Sequence, residues 1–336
     1  YTAFSTTRNP FHFCRLPFGL KNSGIAFQRV MQQILSPLGS NVIVYIDDIL
    51  IMSETYNEHL NMVRKVLKTL SNSGIKIKVK KCEFFRPNVK FLGHIMNNEG
   101  IKKSPDYVEK VLNYPKPSTI TELRRFLGLI NFQRKFIPQC SSIAKPLSQI
   151  TGLSKKTKIK WSPEMEESFH QLKKLTAEDI SLTYPDYSEN ANKLQLFVDA
   201  SGVGAGATLM QNQNGIQKTI GHSSMTFSIT QQNYSTTERE LAAIKWGCES
   251  FRPFIFGVQF ELFTDHKPLV YMSNMAAHSS RIQRTLQELA EFDFQITKGL
   301  SHYRLWSPNS VPEPATMLLL GTALIGLAGL RRRFKK

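Results

Sequence analysis

Two adjacent aspartates, Asp47 and Asp48, stand between two apolar, β-rich runs, Asn41-Val42-Ile43-Val44-Tyr45-Ile46 and Ile49-Leu50-Ile51-Met52-Ser53. No other stretch narrows the fold and chemistry of this chain as much. Val, Ile and Tyr favour a pleated, half-buried surface and each run has strand length, so the pattern predicts strand, tight Asp-Asp turn, strand. Asp-Asp is a poor hairpin turn on conformational grounds. Neighbouring acids also repel, and they are costly to desolvate unless a cation neutralises them. A hard divalent cation such as Mg²⁺ takes carboxylate oxygens, and two-metal phosphoryl-transfer sites need several acids close together. Taken alone, the pair also reads as an ordinary exposed turn.

The surroundings add three further motifs. Upstream stands Leu16-Pro17-Phe18-Gly19-Leu20-Lys21-Asn22-Ser23-Gly24-Ile25-Ala26-Phe27-Gln28; downstream come Gly74 to Phe85, ending in Lys80-Lys81-Cys82-Glu83-Phe84-Phe85, and then Phe91-Leu92-Gly93-His94. In that order and at those separations the set resembles the palm of a Ty3/gypsy-type long-terminal-repeat retrotransposon reverse transcriptase. The resemblance implies that Asp47 and Asp48 are catalytic ligands in a two-metal site for Mg²⁺ or Mn²⁺. It places Phe18, Gly19 and Gln28 under the template and nascent pair, and Leu92 and Gly93 in a primer-positioning hairpin. It gives Lys81 the protonation of the leaving pyrophosphate, with a phosphate-facing surface lysine as the plainer reading. RNA template, DNA primer and dNTPs are the implied partners. Gly24 replaces the usual proline of the motif, which removes a rigid helix-start signal. Phe27 and Val30 are expected in the core. Tyr1 to Thr6 resembles the strand that follows the first catalytic aspartate of the family. That aspartate and the fingers are therefore expected to be missing, and polymerisation by this chain alone to be severely impaired.

Composition sets outer limits. At 336 residues with 41% hydrophobic residues, the chain is long enough for two or three domains with real cores. The formal charge is +17, from 43 basic and 26 acidic residues. Such a balance suits a polyanion partner, because neutralised phosphates release counterions. Cys14, Cys82, Cys140 and Cys248 form no Cys-x-x-Cys, so neither a disulfide framework nor a zinc ribbon is indicated, and a reducing, cytoplasmic-type setting is expected for the body. His59, His94 and His170 show no ligand spacing.

Beyond the hairpin, Glu58 to Leu70 carries Leu60, Val63, Val66, Leu67 and Leu70 at the spacing of one helical face, stopped by Ser73-Gly74. Lys76, Lys78, Lys80 and Lys81 then fill a β-like alternation. Ser104 and Pro105 mark a helix start, and Ser118-Thr119 precede a second helix whose Leu123, Phe126, Leu127 and Ile130 read as core. Arg124, Arg125 and Arg134 give that region a basic face. The stretch resembles the family's thumb, which implies that these arginines grip phosphates. Thr151 to Lys160 reads as a lysine-rich linker, and Trp161-Ser162-Pro163-Glu164 caps a further helix.

A second set of acids follows. Lys193 to Ser201 is a buried-type strand ending in Asp199; Thr236 to Ile244 opens a helix containing Glu238 and Glu240; Phe260 to Thr264 is a strand followed by Asp265. Acids at two strand ends and one first-turn helix position can converge on one edge of a mixed sheet, the arrangement a nuclease needs to hold two metals across a scissile phosphate. The order resembles the RNase H domain of the same retroelements, which implies that Asp199, Glu240 and Asp265 are catalytic metal ligands acting on an RNA-DNA hybrid, with Glu238 the lesser choice. The family's fourth acid is not found after Lys298-Gly299-Leu300. Asp293 belongs to the preceding strand, so nuclease activity is expected to be weak and favoured by Mn²⁺.

From Val311 the composition changes. Residues 315–330 are almost wholly apolar, slightly short of the ~20 a spanning helix needs, and Arg331, Arg332 and Arg333 follow. The box Pro312-Glu313-Pro314 with these flanks resembles the PEP-CTERM sorting signal of Gram-negative bacteria. That implies a membrane segment and an exosortase as partner.

The chain therefore reads as an α+β or α/β multidomain protein in five parts: a partial palm at 1–98, thumb-like helices at 99–150, a connection at 151–192, an RNase H-like domain with a mixed five-stranded sheet at 193–302, and an apolar tail helix at 311–336. The implied activity is RNA-directed DNA polymerase with hybrid ribonuclease, in truncated form. The alternatives are an inactive nucleic-acid-binding remnant and a membrane-sorted fusion defined by its tail.

Overall fold

Residues 3–7, 9–17, 19–264 and 280–298 are described by the computed structural model, and the chain divides into two units between Asn98 and Glu99. In the first unit, β1 (Ala3–Ser5) and β2 (Pro10–His12) form a short antiparallel hairpin. Next come α1 (Ser23–Leu35), β3 (Val42–Tyr45), β4 (Asp48–Ile51) and α2 (Tyr56–Asn72), followed by β5 (Val89–Phe91) and β6 (His94–Met96), a second hairpin. Met31 and Leu35 of α1 and Val66 and Leu70 of α2 close a small core over Val42, Val44, Ile49 and Ile51 of the β3–β4 hairpin. A reciprocal capping box starts α2: the Glu58 N–H donates to the Thr55 hydroxyl at 3.3 Å and the Thr55 N–H to the Glu58 carboxylate at 3.2 Å. Gly74, at φ 72°, ends it, with the Ile75 N–H bonded back to the Leu70 carbonyl at 2.9 Å.

Three expectations fail in this unit. Phe27 and Val30 are 41% and 48% exposed: the buried residues of α1 are Met31 and Leu35, Phe27 lies a turn before that contact and Val30 lies about 100° round the helix from Met31. Leu67 likewise lies outside the buried stripe of α2. The lysine run forms no strand: a 3-10 turn spans Val79–Lys81, where the N–H groups of Lys81 and Cys82 donate to the carbonyls of Lys78 and Val79, each at 2.9 Å. Local bonds satisfy that backbone without a partner strand.

The second unit opens with β7 (Gly100–Lys103), α3 (Pro105–Leu112), α4 (Ile120–Phe132), α5 (Cys140–Ser148), α6 (Pro163–Ala177) and β8 (Ser181–Thr183), with β7 and β8 antiparallel. Leu123, Phe126, Leu127 and Ile130 are buried as the periodicity predicts, and the Phe126 ring lies 4.6 Å from that of Phe169 on α6. Thr119 and Ser162 cap α4 and α6 through side-chain oxygens. Ser104 occupies the cap position of α3, but its side chain makes no cap bond; the Tyr107 N–H is taken by its backbone carbonyl at 3.0 Å.

The rest of the unit is β9 (Leu194–Ala200), β10 (Gly204–Gln213), β11 (Ile216–Thr226), α7 (Ile229–Gln232), α8 (Thr236–Ile255), β12 (Phe260–Thr264), α9 (Ser280–Leu289) and β13 (Phe294–Lys298). The sheet order is β11-β10-β9-β12-β13, antiparallel through the first three strands and parallel from β9 to β13. This is the mixed five-stranded sheet that the sequence predicts. Leu241, Ile244, Cys248, Phe251 and Ile255 line the buried face of α8 against it. At Gly247 the helix comes so close to β9 that a Cβ would stand 2.9 Å from a methyl of Val198. Among the described residues no helix is long and apolar enough to cross a membrane. The apolar tail helix expected at 311–336 lies outside the described residues.

Candidate active sites

The Asp-Asp hairpin forms, one residue out of the expected register. Tyr45 pairs with Asp48, so Ile46 and Asp47 make the two-residue turn and Asp48 is the first residue of β4. Ile46 adopts φ 52°, a conformation that is strained for a β-branched residue and that nothing in its own propensity predicts. The cause is on α1. The Gln28 side-chain amide donates to the Val44 carbonyl at 2.9 Å and its oxygen accepts the Ile46 N–H. Gln28 thus braces the hairpin, whatever else it touches. Both aspartates are exposed at the tip.

The other expected groups of this unit fall as follows. Gly19 holds a turn at φ 87°, and Phe18 lies outside the described residues. Leu92 and Gly93 form the two-residue turn between β5 and β6 with φ of 49° and 74°, the sign pattern of a type I′ hairpin turn. Lys81 is exposed on its 3-10 turn.

In the second unit, Asp199 is the penultimate residue of β9, half-buried, and opposite Gly206, so no cross-strand side chain on β10 crowds it. Parallel pairing of Phe263 with Phe197 sends β9 and β12 out at the same sheet edge. Asp265, next in sequence after β12, lies outside the described residues. Glu240 lies early in α8 and is 5% exposed. The adjacent Arg239 guanidinium stands 3.3 Å from where a Cβ on Gly202 would be, in the loop that follows Asp199. The Arg239 side chain, from the start of α8, therefore reaches the loop at the exit of β9. Asp293 precedes β13, at the opposite end of the parallel strands from Asp199, and cannot serve this edge.

The oxygen-only donors at both places suit a hard divalent cation, and a carboxylate as buried as Glu240 carries a desolvation cost that such a cation offsets. Among the described residues no three His, Cys, Asp or Glu side chains already form a metal-holding group.

Glu238 has a different task. Its carboxylate accepts from the Ser235 N–H at 3.1 Å while its own N–H donates to the Ser235 hydroxyl at 3.3 Å, and Arg281 of α9 pairs with it at 3.0 Å. Ser235-x-x-Glu238 is a capping-box signature that the sequence displays and the metal-ligand reading passes over. The Ser235 bonds, aided by Arg281, hold the Glu238 carboxyl below its usual range. A lowered folded-state value means that this contribution is full above the unfolded pKa and is lost as pH falls through the folded one. Ser235→Ala should therefore cost ~1 kcal/mol at pH 7. In denaturant melts, the gap to the unsubstituted chain should narrow as pH drops below about 4.

Two of the expected phosphate-gripping arginines are engaged internally. Arg124 donates to the carbonyls of Thr151 at 3.0 Å and Leu153 at 3.2 Å, and half-buried Arg134 donates to the Ser224 carbonyl of β11. Arg125 is exposed. Pro312, Glu313, Pro314, Arg331, Arg332 and Arg333 lie outside the described residues.

The chain combines an Asp-Asp hairpin with a mixed five-stranded sheet that has an acid near the end of its central strand and another on the helix covering it. Residues 1–96 match the reverse transcriptase (RNA-dependent DNA polymerase) family, residues 189–292 the RNase H-like domain found in reverse transcriptase, and residues 310–333 the PEP-CTERM protein-sorting motif. The chain carries these two domains, and its homologues are retrotransposon Pol polyproteins. It is 39% identical over 297 residues to the retrovirus-related Pol polyprotein from transposon 297 of Drosophila melanogaster, covering 88% of this chain and 27% of that relative. To the Pol polyprotein from transposon gypsy of the same fly it is 34% identical over 295 residues, covering 84% and 28%. A solved structure of the foamy viral protease-reverse transcriptase in complex with RNA/DNA hybrid superposes with a TM-score of 0.73 at 27% identity, covering 93% of this chain and 43% of that one. The chain thus spans about a quarter of the length of these curated relatives.

Proposed function

We propose that this chain binds RNA-DNA hybrid and hydrolyses its RNA strand at the edge where β9 ends and α8 begins. The observation that carries the reading is the reach of Arg239, beside buried Glu240 at the α8 start, to the loop after Asp199. Asp199 and Glu240 would hold Mg²⁺ or Mn²⁺, joined by Asp265. When bound, such ions lower the pKa of water and neutralise charge on the reacting phosphate. The chain itself fixes the two carboxylates on rigid elements, β9 by pairing on both sides and α8 by its capping box. Cleavage is slow with Mg²⁺ and faster with Mn²⁺.

On the same reading, Asp47 and Asp48 are the metal-binding pair of an RNA-directed DNA polymerase of Ty3/gypsy type, serving RNA template, DNA primer and dNTPs. Lys81, Leu92 and Gly93 flank that work. The five-part division into palm, thumb, connection, RNase H-like domain and tail belongs to this reading. A second reading concerns the tail alone. The sorting-motif match at 310–333 supports membrane insertion and recognition by an exosortase.

Binding tests the reading first. The purified chain should retain a labelled RNA-DNA hybrid at low salt and lose it steeply as salt rises. Asp47→Asn combined with Asp199→Asn should leave binding in place while cleavage stops. Failure to bind hybrid at low salt, or equal retention of polyglutamate, would refute it.

A further inference from the structure

The lysine-rich stretch after α5 is fastened down as a built element. Arg124 holds its start by the Thr151 and Leu153 carbonyls. The Thr121 hydroxyl and N–H both donate to the Lys155 carbonyl, at 2.9 and 3.3 Å. The Ile120 N–H donates to the Thr157 carbonyl at 3.2 Å and the Ile159 N–H to the Ser118 carbonyl at 3.0 Å, so that Thr119 and Lys158 form an antiparallel bridge. At the far end the Trp161 indole donates to the Pro117 carbonyl at 2.9 Å. The segment is thus a strap laid along the chain that leads into α4.

Its side chains alternate. Thr157, Ile159 and Trp161 turn inward, Ile159 and Trp161 against the core that holds Phe126 and Phe169. Lys158 and Lys160 stay exposed, as do Lys155 and Lys156 in the turn before them. In an extended chain, residues two apart are roughly 6.6 Å apart on one face. Lys158 and Lys160 are therefore stepped along one face, with Lys155 and Lys156 exposed on the turn that leads into them. None of these four lysines has an acid within ion-pair distance among the described residues. Nearby Lys116 differs, because Glu166 takes it at 2.5 Å. The backbone beneath these four cations is already fixed by bonds to its neighbours, so only side-chain freedom is lost when a linear polyanion lies along them.

We propose that Lys155 to Lys160 is a phosphate-binding rail that tracks the sugar-phosphate backbone of a nucleic-acid duplex. The proposal rests on the nucleic-acid reading above and adds to it a surface that sequence alone takes for a linker. Contacts of this kind position a duplex without reading its sequence. An anionic membrane surface would be the competing occupant; a narrow strap whose lysines run from a turn into one extended face fits a line of phosphates better than a plane of headgroups.

The test compares the unsubstituted chain with Lys156→Gln/Lys158→Gln/Lys160→Gln, measuring affinity for a short DNA duplex across a salt series, and for phosphatidylserine vesicles. All three side chains are exposed, so the melting temperature should not change. The slope of log affinity against log salt should become shallower by about 2.7, roughly 0.9 for each phosphate contact removed. Affinity should fall by a similar factor for unrelated duplex sequences. An unchanged slope in a chain that does bind duplex overturns the rail and leaves the wider reading standing. Loss of vesicle binding with duplex binding intact overturns it in favour of a membrane. A chain that binds no duplex at all overturns both.

Discussion

Glu240→Gln is expected to lower RNA-strand cleavage by ~10³-fold or more while leaving the fold intact. Glutamine keeps the shape of a side chain that is 5% exposed but removes the charge that would hold a cation. Ligand-held cations supply several kcal/mol of charge stabilisation in the transition state, and about 4 kcal/mol corresponds to a factor of ~10³. A second readout separates this from a folding defect. Millimolar Mn²⁺ should raise the melting temperature of the unsubstituted chain, because a ligand bound only by the folded state stabilises it, and the variant should respond less. A variant that cleaves normally would place the chemistry elsewhere.

Gly247→Ala should be the more damaging change to the structure. The added Cβ would meet a Val198 methyl at 2.9 Å, and Val198 is buried and β-branched, with little rotamer freedom to yield. The helix has to lift from β9, at a cost of ~1–3 kcal/mol from overpacking. Lifting α8 also moves Glu240 relative to Asp199, so cleavage should fall along with stability. Val198→Ala introduced beside Gly247→Ala should restore part of both. Strictly additive effects in that cycle would show that the two residues do not press on each other.

The parts legible in sequence are those set by short-range pattern. The apolar, β-rich run Val42 to Tyr45, the 3-4 spacing in α2 and α4, and the succession of elements around Asp199 each describe an element that forms. The family resemblance added a mixed five-stranded sheet, and the order of its strands is seen only in the structure. What sequence misses depends on partners far along the chain. The hairpin register turns on Gln28, 18 residues before Ile46. The lysine strap is a linker until Ser118 to Thr121 supplies its bonds, and Arg134 is a surface cation until the Ser224 carbonyl, 90 residues on, takes it. Glu238 is the opposite case, since its cap signature lies within four residues.

Cleavage of the RNA strand in a labelled RNA-DNA hybrid, followed side by side for the unsubstituted chain and Asp199→Asn with Mg²⁺ and with Mn²⁺, tests the central claim most directly. The account predicts slow cleavage that Mn²⁺ accelerates and that Asp199→Asn abolishes. Cleavage that persists in Asp199→Asn, or a bound hybrid left intact with either metal, would contradict it.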